Sequence, residues 1–138
     1  MSTGTTTTAT ATARLDDLRT VDQALARIAR IARGREAHRR RADRSGVHLS
    51  RPAISILAAL RRAGPVRLSE LARLTDLEPP LITREVRSLA AGGFVRRTAD
   101  PTDGRAAFVE LTTAGRRASE AYRAAADEIL AETFAAWS

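Results

Sequence analysis

Thr83, Arg84 and Arg87 fall on one side of a helical wheel drawn through PPLITREVRSLAA, with Pro80 and Ser88 beside them. Hydroxyls, guanidinium groups and small residues on one helical face suit base edges and phosphates. Arg presents a planar fork that meets a guanine edge or a phosphate bidentately, and Ser and Thr bond to either. A merely solvated helix more often shows Glu and Lys there. A second set lies in and beside the turn ADPTDGR, where Asp103 and Arg105 are two residues apart and Arg96 and Arg97 are close in sequence. Asp103 can hold the Arg105 guanidinium extended, and a held Arg loses less entropy on entering a narrow, electronegative groove. An ordinary hairpin salt bridge would use the same two residues. Catalysis finds no comparable support. The histidines, His38 and His48, lie ten apart in an Arg-rich region, without a paired carboxylate or hydroxyl. They lack metal-ligand spacing, and no Gly-rich phosphate loop occurs. No enzyme, metal site or cofactor is expected.

The elements that must position these groups follow from periodicity and capping. Ile82, Val86 and Leu89, spaced four and three, make the buried stripe of a helix over 80–91 that turns the Thr83, Arg84 and Arg87 face outward. Pro79 sits where an N1 proline belongs, and Gly92-Gly93 ends the helix. Leu81 either packs inward or meets a thymine methyl. Ser69 is the expected cap of a shorter helix over 70–75, with Leu71, Ala72 and Leu74 facing in and Asp76-Leu77-Glu78 as the turn. Segments 94–98 and 105–111 alternate as a β-hairpin does, with ADPTDG as the connection. One helix and one basic loop are thereby placed side by side, ready for adjacent grooves of a duplex. Upstream, Ser50 caps a helix that carries Pro52 in its first turn and runs to Ala63. Ile54, Ile56, Leu57 and Leu60 make it a core helix, and Gly64-Pro65 stops it before a short extended segment at 66–68.

The flanks read differently. Residues 1–13, MSTGTTTTATATA, are expected to be a disordered tail. From Arg14 a helix carries Leu18, Val21, Leu25, Ile28 and Ala32 at spacings of 3, 4, 3 and 4, one seam that suits a second chain or the protein's own core. The stretch GREAHRRRADRSG, with six Arg between Arg33 and Arg44 against only Glu36 and Asp43, reads as the solvated end of the same helix, capped at Gly46. Thr112 caps a last helix from Thr113 to about Trp137. Its apolar residues are Ala118, Tyr122, Ala125 and Ile129, then Leu130, Phe134 and Trp137, as in a dimerisation or docking surface. The expected organisation is one domain over 14–138, with dimerisation helices at 14–46 and 113–138 around a DNA-binding lobe at 50–111. Leu18, Val21, Leu25, Tyr122, Ile129, Phe134 and Trp137 are the candidate dimer residues.

Composition supports a polyanionic partner. The 138 residues carry 23 basic against 16 acidic side chains, a formal charge of +7, and every basic side chain is Arg. An excess of that kind attracts nucleic acid or an anionic membrane surface; a GC-rich coding sequence would also favour Arg over Lys. No apolar run reaches the eighteen residues of a membrane span, and the first residues lack the basic and apolar regions of a signal peptide. A cytoplasmic protein is expected. With no cysteine there is no disulfide, thiolate metal site or thiol switch.

The order of elements, and above all LSELARLTDLEPPLITREVRSLAAGGFVRR and DPTDGRAAFVELTTAG, resembles the MarR (multiple antibiotic resistance regulator) family of winged helix-turn-helix transcription factors. The resemblance covers roughly 14–137. It implies a mainly α fold with a small β-hairpin wing, forming a two-fold homodimer through its N- and C-terminal helices. On double-stranded DNA it implies major-groove and phosphate contacts from Thr83, Arg84 and Arg87. Pro80, Ser88 and Arg97 join the same surface, Arg105 enters the minor groove, and Asp103 buttresses it. It further implies a repressor of a palindromic operator, released by a small aromatic or phenolic effector in a pocket near helix 51–63, where His48 and Arg51 fall; the favoured reading of these two residues is a surface His and a phosphate-contacting Arg. Three departures stand out: Gly104 where a second wing Arg is common, Glu85 where an apolar residue is common, and an early stop at Ser138. The missing cysteines separate the chain from the family's thiol-oxidation sensors. The competing expectation is a winged-helix module that coats DNA non-specifically or binds protein. The salt slope and the sequence preference of binding separate the two.

Overall fold

The fold, taken from a computed structural model, describes residues 4–100, 102 and 107–136. It divides into two compact units, Met1–Arg39 and Arg40–Ser138.

The first unit is built on α1 (Gly4–Arg33), followed by the start of α2 (Arg35–Ser45). Helix α1 begins ten residues before the expected start at Arg14, so the stretch expected to be a disordered tail is helical from Gly4 onward. No Gly or Pro interrupts the chain between residues 5 and 33, and Ala is the strongest helix former. Threonines on this helix bond back to the preceding turn, as Thr12 Oγ1 donating to Thr8 O at 2.9 Å shows. A second correction falls at Gly34. The Arg-rich segment is not the continuation of α1 but a separate helix, opened by His38 N–H donating to Gly34 O at 3.1 Å. Glycine's low helix propensity accounts for the break.

In the second unit, α3 (Arg51–Ala63) is the central helix. Ser50 Oγ accepts from Ala53 N at 3.1 Å, Pro52 occupies the first turn, and Gly64 closes the helix at φ 77°. Ile56, Leu57 and Leu60 are fully buried, while Ile54 is only half-buried. Strand β1 (Val66–Arg67) leads into α4 (Leu68–Thr75), and α5 (Pro79–Ala91) follows. The left-handed turn between these two helices is taken by Asp76 at φ 55°, a residue that tolerates it better than most. Strands β2 (Val95–Ala99) and β3 (Ala107–Leu111) form the hairpin, and α6 (Thr113–Ala135) closes the described chain. The core joins α3, Leu71 of α4, Ile82, Val86 and Leu89 of α5, Val95, Val109 and Ala118. This is the winged helix-turn-helix expected from the sequence, and among the described residues no helix is long and apolar enough to cross a membrane.

Local details depart from the sequence reading. The hairpin is part of a three-stranded antiparallel sheet in the order β1-β3-β2, because the short extended segment after Gly64-Pro65 pairs with β3 (Val66 with Val109, Arg67 with Phe108). Ser69 does not cap α4: the helix starts at Leu68, its N-cap is Arg67, and no side chain closes it. Leu74 does not face in but is 40% exposed. The inward row of this two-turn helix runs through Leu71 and Thr75, a spacing of four that leaves Leu74 at the edge.

The motif LTTAG has a packing reason. Thr112 Oγ1 accepts from Gly115 N at 3.1 Å and donates to Gly93 O at 2.5 Å, so one hydroxyl caps α6 and ties it to the end of α5. A Cβ on Gly115 would lie 1.9 Å from Phe94 O, so the close approach of helix and strand requires glycine there.

Candidate nucleic-acid interface

The buried stripe of α5 fixes what its other face can do. Ile82, Val86 and Leu89 are at most 2% exposed, so rotation of the helix is set by the core. Pro80, Thr83, Arg84, Arg87 and Ser88 are exposed, as their helical positions predict. Leu81 is half-buried at the margin. Thr83 Oγ1 donates its proton back to Pro79 O at 3.1 Å, which leaves its lone pairs facing outward as acceptors.

Arg84 and Arg87 have no ion-pair or hydrogen-bond partner among the described residues. Some other guanidinium groups are committed. Arg39 meets Glu36 at 2.6 Å, Arg44 forks onto Glu132 at 2.6 and 3.1 Å, Arg73 pairs with Glu70, and Arg96 faces Glu110 at 3.8 Å. The Arg44 pair pulls the Glu132 carboxyl below its ordinary value, chiefly through the hydrogen bond. On α5 neither guanidinium forms an ion pair with a carboxylate among the described residues, the condition that favours phosphate or a guanine edge.

Glu85, the departure from an apolar residue, is half-buried, and Ser50 Oγ donates to its Oε2 at 3.0 Å. It therefore ties α5 to the N-terminus of α3, where a negative charge is favoured by the helix dipole. Its role here was not legible from sequence, since Ser50 lies 35 positions away.

Arg97 is exposed on β2, in register with Val109. Asp103 and Arg105 lie outside the described residues, as does Trp137. At the start of the same turn, sequence reasoning quoted Asp100 within a motif but assigned it no role. It is 4% exposed, with Oδ1 accepting from Thr102 N and Thr102 Oγ1, both at 2.8 Å, and Oδ2 accepting from Arg67 Nη2 at 2.5 Å. The Thr102 bonds, with help from Arg67, hold its carboxyl down at about 2.

The candidate dimer residues separate into two groups. Leu18, Val21 and Leu25 are 64, 55 and 60% exposed, and Phe134 is 49% exposed. Tyr122 and Ile129 are each 9% exposed, so the chain itself covers them. Leu130, already read on the apolar face of the last helix, and Leu15, which was not singled out, are 48 and 55% exposed beside them in sequence. His48 is exposed, 4.0 Å from Asp43, and Arg51 is exposed at the start of α3.

Comparison with known proteins agrees with this geometry. The sequence pattern of the MarR family matches residues 49–107, the stretch from the start of α3 to the first residue of β3. A helix-turn-helix type transcriptional regulator of Mycobacterium leprae is 36% identical over 109 residues, covering 79% of this chain and 71% of the relative. One from Mycobacterium tuberculosis is 38% identical over 82 residues, 59% of this chain, which spans 57% of that relative's length. Among solved structures, a probable transcriptional regulator from Pseudomonas aeruginosa is 35% identical, with a TM-score of 0.61 over 75% of this chain and 81% of that one. BpsR of Bordetella bronchiseptica, whose DNA binding is regulated by 6-hydroxynicotinic acid, is 25% identical with a TM-score of 0.56, over 72% of this chain and 80% of its own. With the fold, the α5 face and these likenesses in agreement, the chain belongs to the MarR family of transcriptional regulators.

Proposed function

We propose that this protein is a homodimeric, sequence-specific repressor that binds a palindromic operator in double-stranded DNA. The observation that carries the reading is the outer face of α5, where unpaired Arg84 and Arg87 stand exposed beside Pro80, Thr83 and Ser88 over a fully buried stripe. Arg84 and Arg87 reach base edges and phosphates, Thr83 accepts from a base donor, and Pro80 and Ser88 let the backbone approach the groove. Arg97 adds a phosphate contact, and Arg105, buttressed by Asp103, enters the flanking minor groove.

The dimer reading is supported by where apolar surface is left over. Of the seven exposed large hydrophobic residues among those described, Leu15, Leu18, Val21 and Leu25 lie on α1 and Leu130 and Phe134 on α6. Two copies related by a two-fold axis place their α5 helices about one helical turn apart on DNA, and so require an inverted repeat. The likeness to a regulator that answers to 6-hydroxynicotinic acid supports a small aromatic acid as effector, acting through its different affinity for the DNA-bound and released states. The working place is the cytoplasm, with no catalytic step, metal or cofactor.

Selection of bound duplexes from a random library at physiological salt tests the proposal. An enriched inverted repeat is the expected result. Recovery of unenriched DNA would make the protein a non-specific coat, and failure to retain DNA at low salt would leave a protein-interaction module.

A further inference from the structure

Strands β1 and β2 are separated by β3, and one side chain spans the gap. Arg67, the last residue of β1, is opposite Phe108 of β3, which is opposite Thr98 of β2. Opposed residues share a face of a sheet, so these three form one row across it. The Arg67 guanidinium passes 5.9 Å from the centre of the Phe108 ring and donates to Asp100, just beyond the end of β2. Asp100 is almost wholly buried, and both its oxygens are engaged, Oδ2 by Arg67 and Oδ1 by Thr102. Arg67 keeps about half its side chain in solvent (49% exposed).

The location gives this network its meaning. At the other end of the hairpin Val95 belongs to the core, and Val109 in mid-strand anchors β3 there too. At this end Thr98 and Ala99 are exposed, so no apolar packing holds β2 where the chain leaves it. Beside the β2–β3 ladder, whose pairs Thr98 with Phe108 and Ala99 with Ala107 reach this end, the side-chain hold among the described residues comes from Arg67, Asp100 and Thr102. A buried carboxylate stripped of its partner is costly, so the arrangement persists as a unit.

We infer that Arg67 and Asp100 are positioning residues for DNA binding: they fix the end of β2 against β1 across the sheet, and so set where the hairpin meets the minor groove. This rests on the DNA-binding reading above. An element fixed before binding carries a smaller entropy cost in the binding step. Losing the pair therefore weakens binding without altering which bases α5 prefers.

The test uses the full chain on the duplex enriched by selection, comparing wild type with Asp100→Asn and Arg67→Gln, and with Asp100→Glu as the conservative variant. Affinity, hydroxyl-radical protection of the minor groove and methylation protection of guanines in the major groove are read together, with thermal melting to confirm folding. The expected result is an affinity loss of about three- to tenfold in the first two variants. Their minor-groove protection is lost, guanine protection is kept, and Asp100→Glu recovers part of both lost signals. Folded variants with wild-type affinity and protection would overturn the inference, as would an affinity loss that leaves the minor-groove pattern unchanged. A wild type that protects no duplex would overturn the DNA-binding reading and this inference with it.

Discussion

Helices α1 and α5 are both amphipathic, and they treat their apolar stripes in opposite ways. Helix α5 buries Ile82, Val86 and Leu89 almost completely and turns hydroxyls and unpaired arginines outward. Helix α1 leaves Leu15, Leu18, Val21 and Leu25 between 55 and 64% exposed, while charges on the same helix pair locally, as Arg19 does with Asp16 at 3.8 Å. A stripe answered inside the chain frees the opposite face for recognition. A stripe with no such answer is free to serve as a recognition surface. The two helices thus divide the work proposed for the protein, α5 toward DNA and α1 toward a second copy.

The comparison can be broken most severely at α1. Replacing Leu18 and Leu25 together by Ser removes two side chains worth about 1.5–3 kcal/mol each when buried, twice over in a symmetric dimer. The dimer dissociation constant should rise by about a hundredfold or more, read by sedimentation across a concentration series. A double variant that dimerises as wild type does would show that this stripe is not the interface. On α5 the same kind of truncation strikes the fold instead. Ile82→Ala should cost about 2–5 kcal/mol in urea unfolding, because it opens a cavity in a closed core. Arg84→Ala leaves that core alone and should cost about 1–3 kcal/mol in operator binding, with relaxed preference at one base position. Unfolding midpoints unchanged from wild type are expected for it, and a shifted midpoint would mean that Arg84 is a structural residue.

The smallest effect concerns acid. Asp100 titrates at about 2 in the fold against 3.8 unperturbed, so its contribution is fully present above the higher value and is lost as pH falls toward the lower one. Stability measured between about pH 4 and pH 2 should fall less steeply in Asp100→Asn than in wild type. Parallel profiles would show that Asp100 adds nothing to this slope.

What the sequence made legible was governed by local rules. Ser50, Pro52 and Gly64 bound α3, Thr112 caps α6, and the Ile82, Val86, Leu89 spacing oriented α5, since capping and periodicity act within a few residues of their cause. The exposed face of α5 followed by subtraction from that stripe. What stayed hidden depends on partners far away in the chain. The pairing of β1 with β3, the Arg67–Asp100 bond across 33 positions and the Ser50–Glu85 bond across 35 carry no local signature. The Thr/Ala segment misled for another reason. Its low complexity suggests disorder, yet it contains no helix breaker after Gly4. Tyr122 and Ile129 share a stripe with Phe134, and spacing alone cannot say where along α6 the chain stops covering it.

The central claim is specific recognition through the α5 face. Its most direct test is the ratio of affinities for the enriched duplex and a scrambled one at physiological salt, measured for wild type and for Arg84→Ala/Arg87→Ala. The account predicts a wild-type ratio of roughly 10³ or more that collapses toward one in the double variant, as the shared phosphate attraction remains. A wild-type ratio near one, or a high ratio that survives both substitutions, would contradict it.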